Sequence, residues 1–204
     1  MSETPYYHLT THTLNGGCDP VMDPAILAAC SWLCRGCRTP MPGTGSIDLH
    51  VQQRKPAPAP ISPVWWFGRS LMRIDFLMSL GEDRVRAALS LGTAFGPNGQ
   101  VLSDWVTVNG PSKLVLRGSG THAGYRRCDE CGQLIYSAAS RLYLCPKPRT
   151  QSPIILEHFS LVVSASVLEG LDRTKWPRLA VDPLPILDAP LDGFAVDEFD
   201  RDFG

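Results

Sequence analysis

The chain contains no apolar run of about 18 residues, the length a membrane-spanning helix requires. Met1 to Asn15 is polar and holds Tyr6, Tyr7, His8 and His12, so it lacks the apolar centre of a secretory signal. Together these absences predict a cytoplasmic protein with no membrane partner. A surplus of positive charge is missing too. Nineteen Lys and Arg against 20 Asp and Glu leave a net charge of −1, which gives no electrostatic reason to hold a polyanion. Catalytic signatures are likewise absent: there is no G-x-x-x-x-G-K-[ST] loop, no G-x-G-x-x-G, no H-E-x-x-H and no G-x-S-x-G. Gly118-Ser119-Gly120-Thr121 lacks the lysine and following helix of a phosphate cradle. Glu157 and His158 are neighbours in a strand-like stretch and so point to opposite faces. No enzyme is expected.

Eighteen prolines and 18 glycines in 204 residues predict many turns and short elements rather than a helical bundle. Tyr6 to Leu9 reads as a strand and Gly16-Gly17 as its turn. Asp23-Pro24 opens a brief helix through Ala29. Ser31-Trp32-Leu33 reads as a strand, and Ile47 to Val51 alternates as a half-buried strand does. Lys55 to Pro60, with alternate prolines, is a stiff extended surface connector. Val64-Trp65-Trp66-Phe67 reads as an exposed partner site or as the anchor of a small core, the second being preferred because large aromatics dominate burial. Leu71 to Leu80 is strand or helix, and Glu82 to Leu91 is helix. Asn98-Gly99 supplies the positive-φ turn between strands Gly92 to Phe95 and Val101 to Val108. Lys113 to Arg117 is a further strand, Gln133 to Tyr136 and Arg141 to Leu144 form a hairpin, and Ile154 to Leu156 and Phe159 to Val163 are strands. Ser166 to Glu169 is a capping box opening a short helix limited by Gly170 and Pro177, and Leu179 to Val181 and Leu184 to Leu187 are extended. The predicted architecture is α+β, with a mostly antiparallel sheet and a few short helices. Residues 1–187 form one domain and residues 188–204 an acidic tail.

Seven cysteines, an odd number, in a chain without an export signal argue for thiols and metal rather than disulfides. Four of them form Cys34-Arg35-Gly36-Cys37 and Cys128-Asp129-Glu130-Cys131-Gly132. Each two-residue spacer lets both thiolates of a pair reach one tetrahedral zinc ion from a tight knuckle turn, and two such knuckles supply four sulfurs. About ninety residues separate the pairs, where zinc sites usually have 15–20, so the spacing leaves their partnership open. A thioredoxin-like redox pair would need a helix start within a βαβ unit, whereas Cys128 is followed by Gly132 and the strand-like Leu134-Ile135-Tyr136, the order of a zinc ribbon. Cys18, Cys30 and Cys145 read as buried small hydrophobes. His122, six residues before Cys128, is a loop histidine with the chemistry of an alternative zinc ligand.

The two distant knuckles, the form Cys128-Asp129-Glu130-Cys131-Gly132, the Tyr-rich hairpin after it, and Phe159-Ser160-Leu161-Val162-Val163-Ser164 leading into a short helix resemble the double-CXXCG motif proteins. The likeness runs over roughly residues 30–190 in element order. It implies a structural zinc held by Cys34, Cys37, Cys128 and Cys131. It also implies a bacterial immunity protein that neutralises a cognate toxin. One position departs from the pattern: Arg38 stands where a glycine follows the second cysteine, leaving Gly36 to serve the turn's backbone need.

The alternative is a nucleic-acid-binding zinc ribbon, for which Arg35, Arg38, Arg126 and Arg127 beside the knuckles are the candidates, although the charge balance weighs against it. Charge is instead divided between body and tail. Seven carboxylates against Arg201 alone give residues 181–204 a net charge of −6, leaving +5 for the remainder. Asp188, Asp192, Asp197 and Glu198, interleaved with Phe194 and Phe199, are candidate toxin contacts if the toxin has a basic cleft. The preferred reading of the same composition is a solvated tail.

Overall fold

Successive residues of a strand face opposite ways, so a sheet covered on both faces needs apolar residues at consecutive positions. Leu71 and Met72 are such a pair. Both are fully buried, and they lie in two different cores.

The computed structural model describes residues 6–11, 17–41, 43–54, 59–64, 69–110, 115–118, 125–132, 134–136, 141–144, 152–157 and 160–184. In chain order the elements are β1 (Tyr6–Thr11), α1 (Pro24–Ala29), β2 (Leu49–His50), β3 (Ile61–Val64), β4 (Arg69–Arg73), α2 (Ile74–Ser79), α3 (Glu82–Ala88), β5 (Ser90–Phe95) and β6 (Val101–Asn109). They continue with β7 (Val115–Gly118), β8 (Tyr125–Arg127), β9 (Leu134–Tyr136), β10 (Arg141–Leu144), β11 (Ile154–Glu157), β12 (Ser160–Ser164), α4 (Ala165–Leu168) and β13 (Leu179–Pro183). One sheet has the order β11-β12-β1-β13 and is wholly antiparallel. The second has the order β2-β5-β6-β4-β3, antiparallel except between β2 and β5. Two further pairs, β7 with β10 and β8 with β9, stand as two-stranded sheets. The chain thus adopts the expected α+β class, with mostly antiparallel strands, short helices and the two C-x-x-C knuckles side by side.

The larger core lies between the two sheets. Leu9, Ile154, Leu156, Leu161 and Val163 meet Ile61, Met72 and Val108 there, together with Phe76, Leu77 and Leu80 of α2 and its extension and Val85 of α3. Full burial of each such side chain contributes about 1.5–3 kcal/mol. On the opposite face of the five-stranded sheet, Val64, Leu71, Ala94, Leu102 and Trp105 are covered by Cys18, Ile47, Leu49 and Val51, with Leu27, Trp32 and Leu33 packed on them. This second core seats the first knuckle, because Trp32 and Leu33 immediately precede Cys34.

The segment leaving that knuckle is strapped to the same sheet. Asn109 Nδ2 donates to Thr44 O (2.6 Å) and Gly45 O (2.9 Å), the Thr107 hydroxyl donates to Ile47 O, and Asp48 Oδ1 accepts the Thr93 N–H (2.7 Å). Gly92 is required here, since a Cβ on it would fall on the Ile47 carbonyl oxygen. Thr107 and Asn109 are buried polar residues whose bonds are thereby satisfied.

Several elements differ from expectation for identifiable reasons. Ser31-Trp32-Leu33 is a turn rather than a strand, because Cys30 N–H and Leu33 N–H bond back to Leu27 O and Cys30 O, leaving a bridge between Leu33 and Pro40. Leu71 to Leu80 is both alternatives in succession, β4 then α2, and α2 stops at Gly81, whose φ of 101° suits glycine. The hairpin at Asn98-Gly99 forms, but Gly99 alone has a positive φ (73°), and Gly96 N–H closes the loop on Gln100 O. Ser166 lies inside α4 rather than capping it. Ser164 takes the cap position because β12 runs directly into the helix. Ala59 and Pro60 are buried, and Pro60 O accepts the Arg73 N–H, so the end of the proline stretch is tied to β4 rather than exposed. Gly16, the proline connector at 55–58, the aromatic run at 65–67, His158, Phe159 and residues 185–204 lie outside the described residues.

Candidate metal centre

The two knuckles share one backbone. Arg38 N–H bonds to Cys34 O (2.9 Å) and Gly132 N–H to Cys128 O (2.8 Å), closing equivalent turns. The residue after each second cysteine is left-handed, with φ 57° at Arg38 and 71° at Gly132. Arg38 therefore carries the conformation that glycine carries in the other knuckle, and Gly36 does not relieve it. Gly36 serves proximity instead. A Cβ there would come within 3.1 Å of Cys128 Sγ and 3.1 Å of Glu130 Cδ.

The closed turns face each other so that each cysteine meets its counterpart. Cys34 Sγ is 3.6 Å from Cys128 Sγ and Cys37 Sγ is 3.6 Å from Cys131 Sγ. All four sulfurs lie within 4.8 Å of one another. Sulfurs at about 2.3 Å from one tetrahedral ion stand about 3.8 Å apart, so this donor set and spacing fit a metal ion. The separations are well beyond the roughly 2.05 Å of a disulfide bond. Cys34 and Cys128 are buried while Cys37 and Cys131 are half-buried.

Polar groups converge on the sulfurs. N–H groups of Cys131 and Glu130 aimed at the Cys128 sulfur pull its thiol down to about 7. The Cys37 N–H likewise draws the Cys34 thiol down, but burial and the adjoining Cys128 sulfur outweigh it and leave Cys34 above its ordinary value. Thr39 Oγ1 stands 3.0 Å from Cys37 Sγ, placed to donate to it. Glu130 Oε2 accepts the Gly36 N–H at 2.7 Å and lies 3.7 Å from Cys34 Sγ.

Of the predicted site residues, Cys34, Cys37, Cys128 and Cys131 are brought together and can hold a metal ion. Cys18 is fully buried against Ser62 (3.3 Å), and Cys30 donates to Ile26 O from a half-buried position; burial raises both thiols. Neither belongs to the cluster. Cys145, His122, Asp188, Asp192, Phe194, Asp197, Glu198 and Phe199 lie outside the described residues. The sequence reading missed Thr39 and Glu130. For Glu130 a signal was present, since Gly36 and Glu130 occupy the same place in the two knuckles and pair the smallest residue with a long one.

The predicted hairpin of 133–136 with 141–144 is also corrected. β9 pairs with β8 across the knuckle, and β10 pairs with β7. The knuckle is itself the reversal, closed by the Gly132 N–H and the left-handed Gly132, so the strands on either side of it must pair.

Among the described residues no helix is long and apolar enough to cross a membrane. Compared with family models and with curated proteins, the chain matches none.

Proposed function

We propose that this chain is a non-catalytic immunity protein of the cytoplasm, held in shape by a structural zinc ion on Cys34, Cys37, Cys128 and Cys131, that binds and neutralises a cognate toxin. The observation that carries the reading is the four-sulfur cluster. Four thiolates fill a tetrahedral zinc ion's coordination and leave no place for water or substrate, so such a centre staples a fold and does no chemistry. The resemblance to double-CXXCG proteins supplies the toxin. A nucleic-acid role is less well supported. Arg35 and Arg38 are exposed beside the first knuckle, but Asp129 and Glu130 are exposed on the second, and opposite charges side by side do not make the basic patch that nucleic acid demands.

The test is co-expression with the reading frame adjacent to this one. That frame alone should arrest growth, and this chain should restore it and co-purify with the toxin. A harmless neighbour, or a toxic one that this chain neither binds nor counters, overturns the immunity reading. Metal analysis addresses the other half, with one zinc per chain expected and no zinc refuting the staple. Truncation after Leu187 addresses the acidic contacts: it should slow toxin association and flatten its salt dependence, and an unchanged on-rate excludes Asp188, Asp192, Phe194, Asp197, Glu198 and Phe199 from binding.

A further inference from the structure

We infer that Glu130 is the positioning residue of the metal centre: its carboxylate latches the second knuckle onto the first, so that metal is captured by a preassembled set of sulfurs and released slowly. The inference rests on reading the cysteine cluster as a metal centre. The latch is one charge-assisted hydrogen bond, Gly36 N–H to Glu130 Oε2 at 2.7 Å. It joins the knuckles directly, beside the contacts that pass through the sulfurs.

Two further features fit that role. The stem of Glu130 lies along the backbone of Gly36, where an added Cβ would stand 3.1 Å from Glu130 Cδ and 3.3 Å from its Cγ. A side chain at position 36 would press on that stem, so glycine there favours closure of the carboxylate. A carboxylate is also a poor neighbour for four thiolates on electrostatic grounds, since like charges repel. Its place beside Cys34 is explained by the N–H it grips rather than by attraction to the sulfurs. Glu130 is exposed and takes no part in either described core, so its removal should leave the folded body intact.

The experiment uses the full chain as wild type, Glu130→Ala and Glu130→Gln, loaded with Zn²⁺ and challenged with a chromogenic chelator. Removing partners that hold metal ligands in place changes metal affinity by about 10–100-fold, and Glu130→Ala should release zinc faster by that factor. Glu130→Gln keeps an oxygen that accepts the same N–H and should stay within about threefold of wild type, as a neutral bond replaces a charged one. In parallel, the Gly36 amide should be protected from hydrogen exchange in wild type and Glu130→Gln and unprotected in Glu130→Ala. Release from Glu130→Ala at the wild-type rate overturns the latch. So does a glutamine variant as leaky as the alanine one, which would make the negative charge, not the bond, the active feature. If wild type takes up no zinc, the metal reading falls by itself. Gly36 exchange then still decides the latch, with protection lost in Glu130→Ala supporting it and equal exchange in the two proteins refuting it.

Discussion

Stripping the metal from the four cysteines, by chelation or by Cys128→Ser, should free the β8–β9 hairpin while both apolar cores stay folded. Among the described residues, hydrogen bonds at Gly36 and between the sulfurs link this hairpin's knuckle to the first one, and β8 and β9 form a two-stranded sheet of their own. The cores described above are built from other elements. The staple joins residues 94 apart in sequence, but the cores between them stay folded when the hairpin opens, so opening gives up the bonding of two thiolates to the metal rather than the entropy of that loop. Half of the roughly 10–16 kcal/mol that a four-ligand structural zinc contributes is about 5–8 kcal/mol. At a factor of ten per roughly 1.4 kcal/mol, its loss should raise hairpin opening by more than about a thousandfold. The remaining latch, a single hydrogen bond, offsets only about 1–3 kcal/mol. Hydrogen exchange read by mass spectrometry on zinc-loaded and chelated protein tests this. Peptides covering β8 and β9 should lose protection by orders of magnitude, and peptides covering β6 and β12 should not follow. Loss of protection in β6 and β12 in step with the hairpin would show that the metal holds the whole fold. An unchanged hairpin would show that something other than the metal secures it.

Three substitutions test the packing and the turns. Arg38→Gly should stabilise the protein by about 0.5–1 kcal/mol in urea titration, since a left-handed residue other than glycine costs roughly 1–2 kcal/mol and glycine's added unfolded-chain freedom returns part of that; a destabilised variant would mean the arginine side chain is itself needed. Gly92→Ala should cost at least about 3 kcal/mol, because the methyl group displaces the Ile47 carbonyl and breaks its bond to Thr107; a midpoint within error of wild type would contradict the strap. Asp75→Ala concerns pH. Hydrogen bonds from the Arg73 guanidinium (2.9 and 2.5 Å), together with its charge, hold the Asp75 carboxyl below its ordinary value. A depressed carboxyl adds stability above its unfolded pKa and loses it as pH falls through the folded one, so the gap between variant and wild type should close below about pH 4. Both side chains are largely exposed, which keeps that gap under about 1 kcal/mol, and a gap that widens on acidification would reverse the assignment.

Elements whose signal is local were legible in the sequence. Asp23 does cap α1, accepting the N–H groups of Ala25 (2.7 Å) and Ile26 (3.4 Å), as the Asp-Pro pair promised. The Gly-Pro-Asn-Gly turn does join β5 to β6. Choices set by partners distant in sequence were not legible. Leu71 to Leu80 reads equally well as strand or helix because its first residues are apolar for a sheet buried on both faces and its later ones for a helix on a single core. The strap over Gly92 was invisible for the same reason, as nothing near Thr107 or Asn109 announces carbonyls from residues 44 to 47.

The metal centre divides along the same line. Each C-x-x-C announces two thiolates and the turn that presents them, because two residues between cysteines set that geometry locally; the ninety-residue closure was a matter for the fold. More instructive is the position after each second cysteine. A missing glycine at 38 counted against the first knuckle, with Gly36 as a substitute, yet Arg38 takes up φ 57° beside Gly132 at 71° and closes the same N–H to carbonyl bond. A backbone penalty of roughly 1–2 kcal/mol is smaller than the energy of a turn fixed by that bond and by two sulfurs directed at a common point. At Gly36 the constraint is the approach of Cys128 and Glu130 rather than φ, since an added Cβ would make those side chains give way. Within a knuckle, then, the turn dictates backbone conformation and accommodates an arginine, whereas between knuckles the contact distance favours the smallest side chain, because a larger one displaces Cys128 or Glu130.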